Sequence, residues 1–211
     1  MSSAIVLVSG GIESITLIAD LISKKTHVTG LFFDIGVPSS NNQYYCSAQL
    51  LKGPAGHLER IDITGLQSLF LQFMPFEMLS AEGDTTCPDV GFTPLFAAIS
   101  VYYGESAGTR DAYIGLTKEQ MRDHTDKFLK AIGPTFAAYQ EGVKEVSLSA
   151  PFAGKTKAEV IQLGQQLGVD YRKTWSCFLG GAHHCGVCPA CQQRKAGFSA
   201  AGVSDPTEYQ R

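Results

Sequence analysis

Two short stretches of this chain carry residue types whose spacing can do chemistry. The first, Ser9-Gly10-Gly11-Ile12-Glu13-Ser14, packs two glycines, two hydroxyls and a carboxylate together. Paired glycines allow a tight turn whose backbone N–H groups face outward as a nest for an anion. Ser9 and Ser14 add hydroxyl donors, and a helix starting at this point adds the positive end of its dipole. Such a turn can hold phosphate or pyrophosphate, although an ordinary glycine turn has the same letters. It is neither the GxGxxG dinucleotide fingerprint nor the lysine-bearing Walker loop.

The second stretch is Cys177-x7-Cys185-x2-Cys188-x2-Cys191, which holds four of the six cysteines. Four closely spaced thiolates suit tetrahedral zinc, and short loops between ligands close at little entropic cost. Iron–sulfur ligation uses related spacings. Four protein ligands leave no open position, so the metal is expected to be structural. His183 and His184 are alternative ligands or solvated loop residues. Cys46 and Cys87 stand apart from this cluster.

Both stretches need elements to position them. Ala4–Val8 reads as a buried strand, followed by the glycine turn and an amphipathic helix to about Leu21. Val28–Phe33 reads as a second strand ending at Asp34, then a helix over Asn42–Leu51 and a strand over His57–Ile63. Phe73–Asp89 lacks a clear period and is expected to form a loop at the active site. Helices are predicted over Pro94–Tyr103, Lys118–Tyr139 and Thr156–Leu167, with strands at Ala112–Gly115 and Val146–Leu148. Alternating strands and helices predict an α/β fold, a parallel Rossmann-like sheet with helices on both faces. Ligands then approach the carboxyl ends of the strands. We expect one α/β domain over residues 1–170, and a small zinc-binding segment over 171–211 packed on it.

Composition narrows the function classes. The 211 residues carry 17 Lys+Arg against 20 Asp+Glu, a net charge of -3, which disfavours nucleic-acid binding through bulk charge. With 44% hydrophobic and 18% charged residues, the chain is expected to fold rather than stay disordered. No apolar run approaches the roughly 20 residues that span a bilayer, and Ala4–Val8 is too short for a secretory core. The cytoplasm is the expected compartment, and a reducing one favours metal over disulfides for the cysteines.

Taken together, the motifs resemble a known family. Ser9-Gly10-Gly11-x-Glu13-Ser14 resembles the SGGxDS loop of PP-loop ATP pyrophosphatases, with Glu13 at the family's aspartate. Thr174-Trp175-Ser176-Cys177, the CGxCxxCxxR run Cys185–Arg194, and Pro151–Glu159 with Lys157 at the lysine of PLxxxxKAE resemble 7-cyano-7-deazaguanine synthase (QueC). That resemblance extends to Gly197-Phe198, Ala201-Gly202 and Asp205-Pro206-Thr207. It implies ATP-dependent adenylation of 7-carboxy-7-deazaguanine, release of pyrophosphate, and attack of an amine on the acyl group. It further implies Glu13 and Lys157 as catalytic residues, and Ser9, Gly10, Gly11, Ser14, Asp34, Gly36 and Arg194 as cofactor-binding ones. Zn²⁺ on Cys177, Cys185, Cys188 and Cys191, Mg²⁺, ATP and a homodimer complete what it implies. Asp34 could equally be a strand-end turn residue, and Arg194 could pair with a carboxylate or phosphate or lie on a helix surface.

The middle of the chain departs from the family pattern. Val37-Pro38-Ser39 replaces QRH after Gly36, Cys87–Gly91 lies where FVPGRN is usual, and Gly115–Glu119 with Arg122-Asp123-His124 replaces a cysteine- and aspartate-bearing segment. These departures favour a paralogue, of the sort that accompanies CBASS-type anti-phage systems, which couples the deazaguanine acyl group to a protein. The alternatives are the ammonia-using synthase of queuosine biosynthesis and an inactive zinc-containing binding module.

Overall fold

Strand β1 (Ser3–Val8) is apolar on both sides, as a central strand of a parallel sheet must be. Its Ala4, Val6 and Val8 face one core, and Ile5 and Leu7 face the other. The structure, a computed structural model, describes residues 2–66, 93–139 and 144–210. Among these, β1, β2 (His27–Asp34), β3 (Gly56–Asp62), β4 (Asp111–Ile114) and β5 (Ser147–Ser149) form one sheet in the order β3-β2-β1-β4-β5. All neighbours are parallel. β2 runs beside β1 from His27 opposite Ser3 to Phe32 opposite Val8, and Ile114 of β4 lies opposite Leu7.

Helices α1 (Ile12–Ser23), α2 (Ser40–Leu50), α3 (Thr93–Ala107), α4 (Asp123–Tyr139), α5 (Lys157–Gln166) and α6 (Pro189–Ala201) cover the sheet. Ile12, Ile15 and Ile18 of α1, Val160 and Ile161 of α5, and Phe198 of α6 pack on the Ala4–Val6–Val8 side. Ala97 and Val101 of α3, with Leu129 and Ile132 of α4, pack on the Ile5–Leu7 side. The fold is thus the expected α/β sheet with helices on both faces. Chain direction across the sheet reverses at β1, which opens a crevice at the carboxyl ends of β1 and β4. The glycine turn leaves β1 at that point.

Most element boundaries match the sequence reading to within one or two residues, but α3 runs past the expected Tyr103 to Ala107, and two further stretches differ. α4 starts at Asp123 rather than Lys118, because the Thr117 N–H and hydroxyl both bond Gln120 Oε1, at 3.0 and 3.2 Å. This local side-chain turn outcompetes helix formation. The stretch after Asp170 holds a full helix, α6, and contributes Tyr171, Phe198 and Ala201 to the core beneath β1. The loop expected over Phe73–Asp89, with Cys87, lies outside the described residues. Among the described residues, no helix is long and apolar enough to cross a membrane.

Candidate active site and metal centre

Gly10 has φ +70°, and a Cβ there would sit 2.4 Å from the Gln43 carbonyl oxygen of α2. Both the left-handed backbone and the close helix require glycine. Gly11 caps α1 without any side-chain hydrogen bond, which leaves the first-turn N–H groups of α1 unclaimed by a cap. The Ser9 and Ser14 hydroxyls lie 3.3 Å apart, Ser9 N–H donates to Ser14 Oγ at 3.3 Å, and Gly11 N–H donates to Ser9 Oγ at 3.4 Å. The five loop residues named from sequence therefore form one small polar cup at the positive end of α1.

Lys157, the first residue of α5, brings its ammonium to this cup. Thr156 and Glu159 form a capping box that fixes the start of α5. The Lys157 stem then crosses Gly197 of α6, whose absent Cβ would lie 2.9 Å from Lys157 Cγ and Cδ. Nζ ends 2.8 Å from Glu13 Oε1, with both side chains largely buried. This contact is an ion pair, and no aligned hydrogen bond reaches Glu13 Oε1 among the described residues. Glu119, from the turn after β4, accepts the Lys157 backbone N–H at 3.2 Å. Burial pushes the Glu119 carboxyl up, but bonds from Thr117 and its own backbone, then Lys157, leave it below its ordinary value.

Asp34 closes β2 at the same sheet end, and the structure gives it partners that the sequence did not reveal. Arg60 Nε of β3 donates to Asp34 Oδ2 at 3.1 Å, with a second bond from Nη2, and Gly36 N–H donates to Oδ1 at 2.9 Å. Burial raises the Asp34 carboxyl, yet Arg60 first, then Gly36 and Ser40, hold it below the usual carboxylate range. The Arg60 guanidinium also lies 4.9 Å from the centre of the Tyr44 ring and bonds Asn41 at 3.3 Å. Asp34 and Gly36 shape the turn beside α2, and Asp34 is engaged by a cation of this chain.

The four cysteines converge. Their sulfurs all lie within 4.8 Å of one another, with Cys185–Cys191 at 3.9 Å and Cys177–Cys188 at 4.0 Å, and all four are buried. A tetrahedral zinc with bonds of about 2.3 Å places its sulfurs about 3.8 Å apart, so the donor set and spacing fit that ion. Backbone N–H groups of Leu179 and Cys185 donate to Cys177 Sγ, each at 3.4 Å, and Cys188 N–H donates to Cys185 Sγ at 3.3 Å. Such donors orient thiolate ligands. Cys46 packs against the cluster, but burial pushes its thiol up to about 11, leaving a neutral neighbour.

Neither histidine joins the sulfurs. His184 is buried and stacks on Trp175 with ring centres 4.2 Å apart. Burial, then the Arg194 charge, push its imidazole down to about 4, and its neutral Nε2 accepts Ser176 N–H at 3.1 Å. The solvated-loop reading therefore fails for His184. Arg194 requires the larger correction. It is 0% exposed, and its guanidinium donates to Thr207, Thr174, Ser176, the Tyr171 carbonyl and Asp205. Its bond to Asp205 is the carboxylate pairing, and at 0% exposure it lies on no helix surface and is closed off from a nucleotide.

The segment that Arg194 organises reaches the glycine turn directly, since Trp175 N–H donates to the Gly10 carbonyl at 2.8 Å. A family model described as queuosine biosynthesis protein QueC matches residues 3–202. The chain belongs to the QueC family. It is 31% identical to the 7-cyano-7-deazaguanine synthase of Thermoplasma acidophilum, over 99% of this chain and 92% of that one. It is also 31% identical to the synthase of that name from Legionella pneumophila subsp. pneumophila, over 100% of this chain and 98% of the relative. A solved structure of NMN synthetase from Francisella tularensis shares the fold, with a TM-score of 0.53 at 12% identity, covering 96% of this chain and 78% of that one.

The QueC match encloses the glycine loop, Lys157 and all four cysteines. Arg60 and Gln43 are the site neighbours that sequence reasoning missed. Arg60 becomes visible only through the register that sets β3 beside β2. Glu119 had a weak signal, lying in the departure after β4.

Proposed function

We propose that this QueC-family chain is a cytoplasmic, ATP-using enzyme that activates the carboxylate of a 7-deazaguanine-type substrate and passes the acyl group to an amine. The observation that carries this reading is the Lys157 ammonium held 2.8 Å from Glu13 above the uncapped N-terminus of α1. A triphosphate seated there has its β- and γ-phosphates over backbone N–H groups and a compact cation, leaving the α-phosphorus toward the crevice. A substrate carboxylate oxygen attacks that phosphorus, the bridging Pα–O bond breaks, and pyrophosphate departs into the cup. The amine nitrogen then attacks the acyl carbon, the C–O bond to AMP breaks, and the nitrogen gives up a proton. Lys157 and the loop N–H groups offset the charge that builds on the leaving phosphates.

The Glu13 carboxylate is a hard oxygen donor whose Oε1 already faces the Lys157 ammonium, and Mg²⁺ held by the same carboxylate would neutralise phosphate charge. Zn²⁺ on Cys177, Cys185, Cys188 and Cys191 would be structural. Ser9, Gly10, Gly11 and Ser14 hold phosphate in this reading, while Asp34 and Gly36 form the nucleotide-facing turn.

The departures at Val37–Ser39 and Gly115–Glu119 support a protein amine as acceptor, in a CBASS-type anti-phage role. The full-length match to relatives named 7-cyano-7-deazaguanine synthase favours ammonia instead. Incubation with ATP, Mg²⁺ and 7-carboxy-7-deazaguanine, with ammonium or with candidate partner proteins, separates the two by mass spectrometry. A deazaguanine mass on a partner is the expected result. A nitrile with ammonium alone assigns the synthase, and no AMP under any condition leaves a zinc-containing binding module.

A further inference from the structure

The Gly10–Gly11 peptide joins two residues that have no side chain of their own, and Ser9 Oγ is the side-chain atom that meets its N–H. A trans peptide directs its C=O and N–H to opposite sides, and glycine on both sides makes the flipped orientation sterically accessible. In the structure the Gly10 carbonyl accepts from Trp175 N–H at 2.8 Å, and the Gly11 N–H points the other way, 3.4 Å from Ser9 Oγ. Flipping the peptide would set the Gly11 N–H against the Trp175 N–H, donor facing donor, and would take one donor out of the cup.

We infer that Thr174–Ser176 is a latch that locks the glycine loop in its anion-accepting form, with Arg194 and His184 as the positioning residues that hold the latch. The inference rests on the reading that this loop receives the pyrophosphate end of ATP. Arg194 grips both sides of Trp175: Nη1 donates to Thr174 Oγ1 at 2.8 Å and to Ser176 Oγ at 3.1 Å, while Nη2 donates to the Tyr171 carbonyl at 2.9 Å. His184 accepts Ser176 N–H and stacks on the indole. Trp175 Nε1 donates to the Cys177 carbonyl at 2.8 Å, which ties the latch to the cysteine cluster. His184 is itself fixed by backbone bonds with Glu208 and Gln210 at 3.1 and 2.7 Å. A guanidinium bonded to Thr174, Ser176 and the Tyr171 carbonyl and a buried histidine bonded to Ser176 thus both act on the loop through Trp175.

Trp175 is the chain's single tryptophan, so its emission reads the latch directly. The experiment compares the metal-replete full-length protein with His184→Phe, which keeps an aromatic stack but removes the acceptor, and His184→Gln, which restores an acceptor near Nε2. Arg194→Met is a third variant, and His184→Phe preserves the test if that one does not fold. Inorganic pyrophosphate and ATP with Mg²⁺ are the probes, followed by calorimetry and by Trp175 emission. We expect both probes to change the emission of the native protein. His184→Phe is expected to weaken pyrophosphate about tenfold, with His184→Gln within about twofold of native. Native affinity in His184→Phe, despite an altered Trp175 spectrum, overturns the latch alone. No binding of either probe to the native protein overturns the loop reading, and the latch with it.

Discussion

Lys157 and Asp34 both sit at the carboxyl end of the sheet with an opposite charge beside them, and their surroundings assign them different work. Lys157 meets Glu13 with no aligned hydrogen bond, a pairing that a phosphate can displace. Lys157→Met is expected to lower ATP-dependent AMP formation by about 10²- to 10³-fold, as for loss of one charge-stabilising donor. Its melting temperature should stay near native; a large drop instead would make the lysine a structural residue. Asp34, by contrast, is closed in by Arg60, Gly36 and Ser40. Because its carboxyl is depressed in the folded chain, its stabilising contribution is present above the unfolded value of about 3.9 and lost as pH falls through the folded one. Arg60→Ala should therefore cost about 1 kcal/mol at pH 7. The cost should begin to shrink below about pH 4, where the unfolded chain takes up the proton first, and vanish only below the depressed folded value of Asp34. Urea unfolding at pH 7 and at pH 3.5 measures this, and equal losses at the two values would exclude Asp34 as the partner that matters.

At the scale of elements, α5 and α6 meet where the Lys157 stem lies over Gly197. Gly197→Ala places a methyl 2.9 Å from that stem and 3.2 Å from Ile161, in a contact that cannot widen without moving the lysine. Expected is a fall in AMP formation of at least about tenfold, with a stability change of about 1–2 kcal/mol from overpacking. Unaltered turnover would show that the stem has another route to Glu13. Elements of this kind were legible in the sequence where the signal is local. The apolar run of β1, the periodic face of α5 and the cysteine spacing each depend on residues a few positions apart. Arg194 was misplaced because its acceptors are scattered from Tyr171 to Thr207, and an arginine in a helix of mixed polarity reads as exposed until those acceptors are assembled. Arg60 was missed for the same reason, since its partner lies across a strand pair whose register no local pattern encodes. The late start of α4 turned on one glutamine side chain that completes a turn.

For the whole molecule, the cysteine segment behaves as part of the main core. Tyr171, Phe198 and Ala201 pack in the same cluster as Ala4, Val6 and Ile15, and the Tyr171 hydroxyl lies 3.0 Å from Thr16 Oγ1 of α1. The four sulfurs and the sheet are therefore mechanically continuous through α6. A zinc site contributes folding free energy directly. If the segment were an independent knob, extracting the metal would melt it alone and leave the sheet's transition unchanged. With its helix built into the core, metal extraction should instead lower a single cooperative transition of the whole chain. The shift should be about 2–4 °C for each kcal/mol lost in a protein of this size. Calorimetry with and without a thiol-compatible chelator, alongside Cys188→Ser, measures this. Two separated transitions, or an unmoved main peak after the metal is gone, would show the cysteine segment to be thermodynamically separate from the sheet it covers.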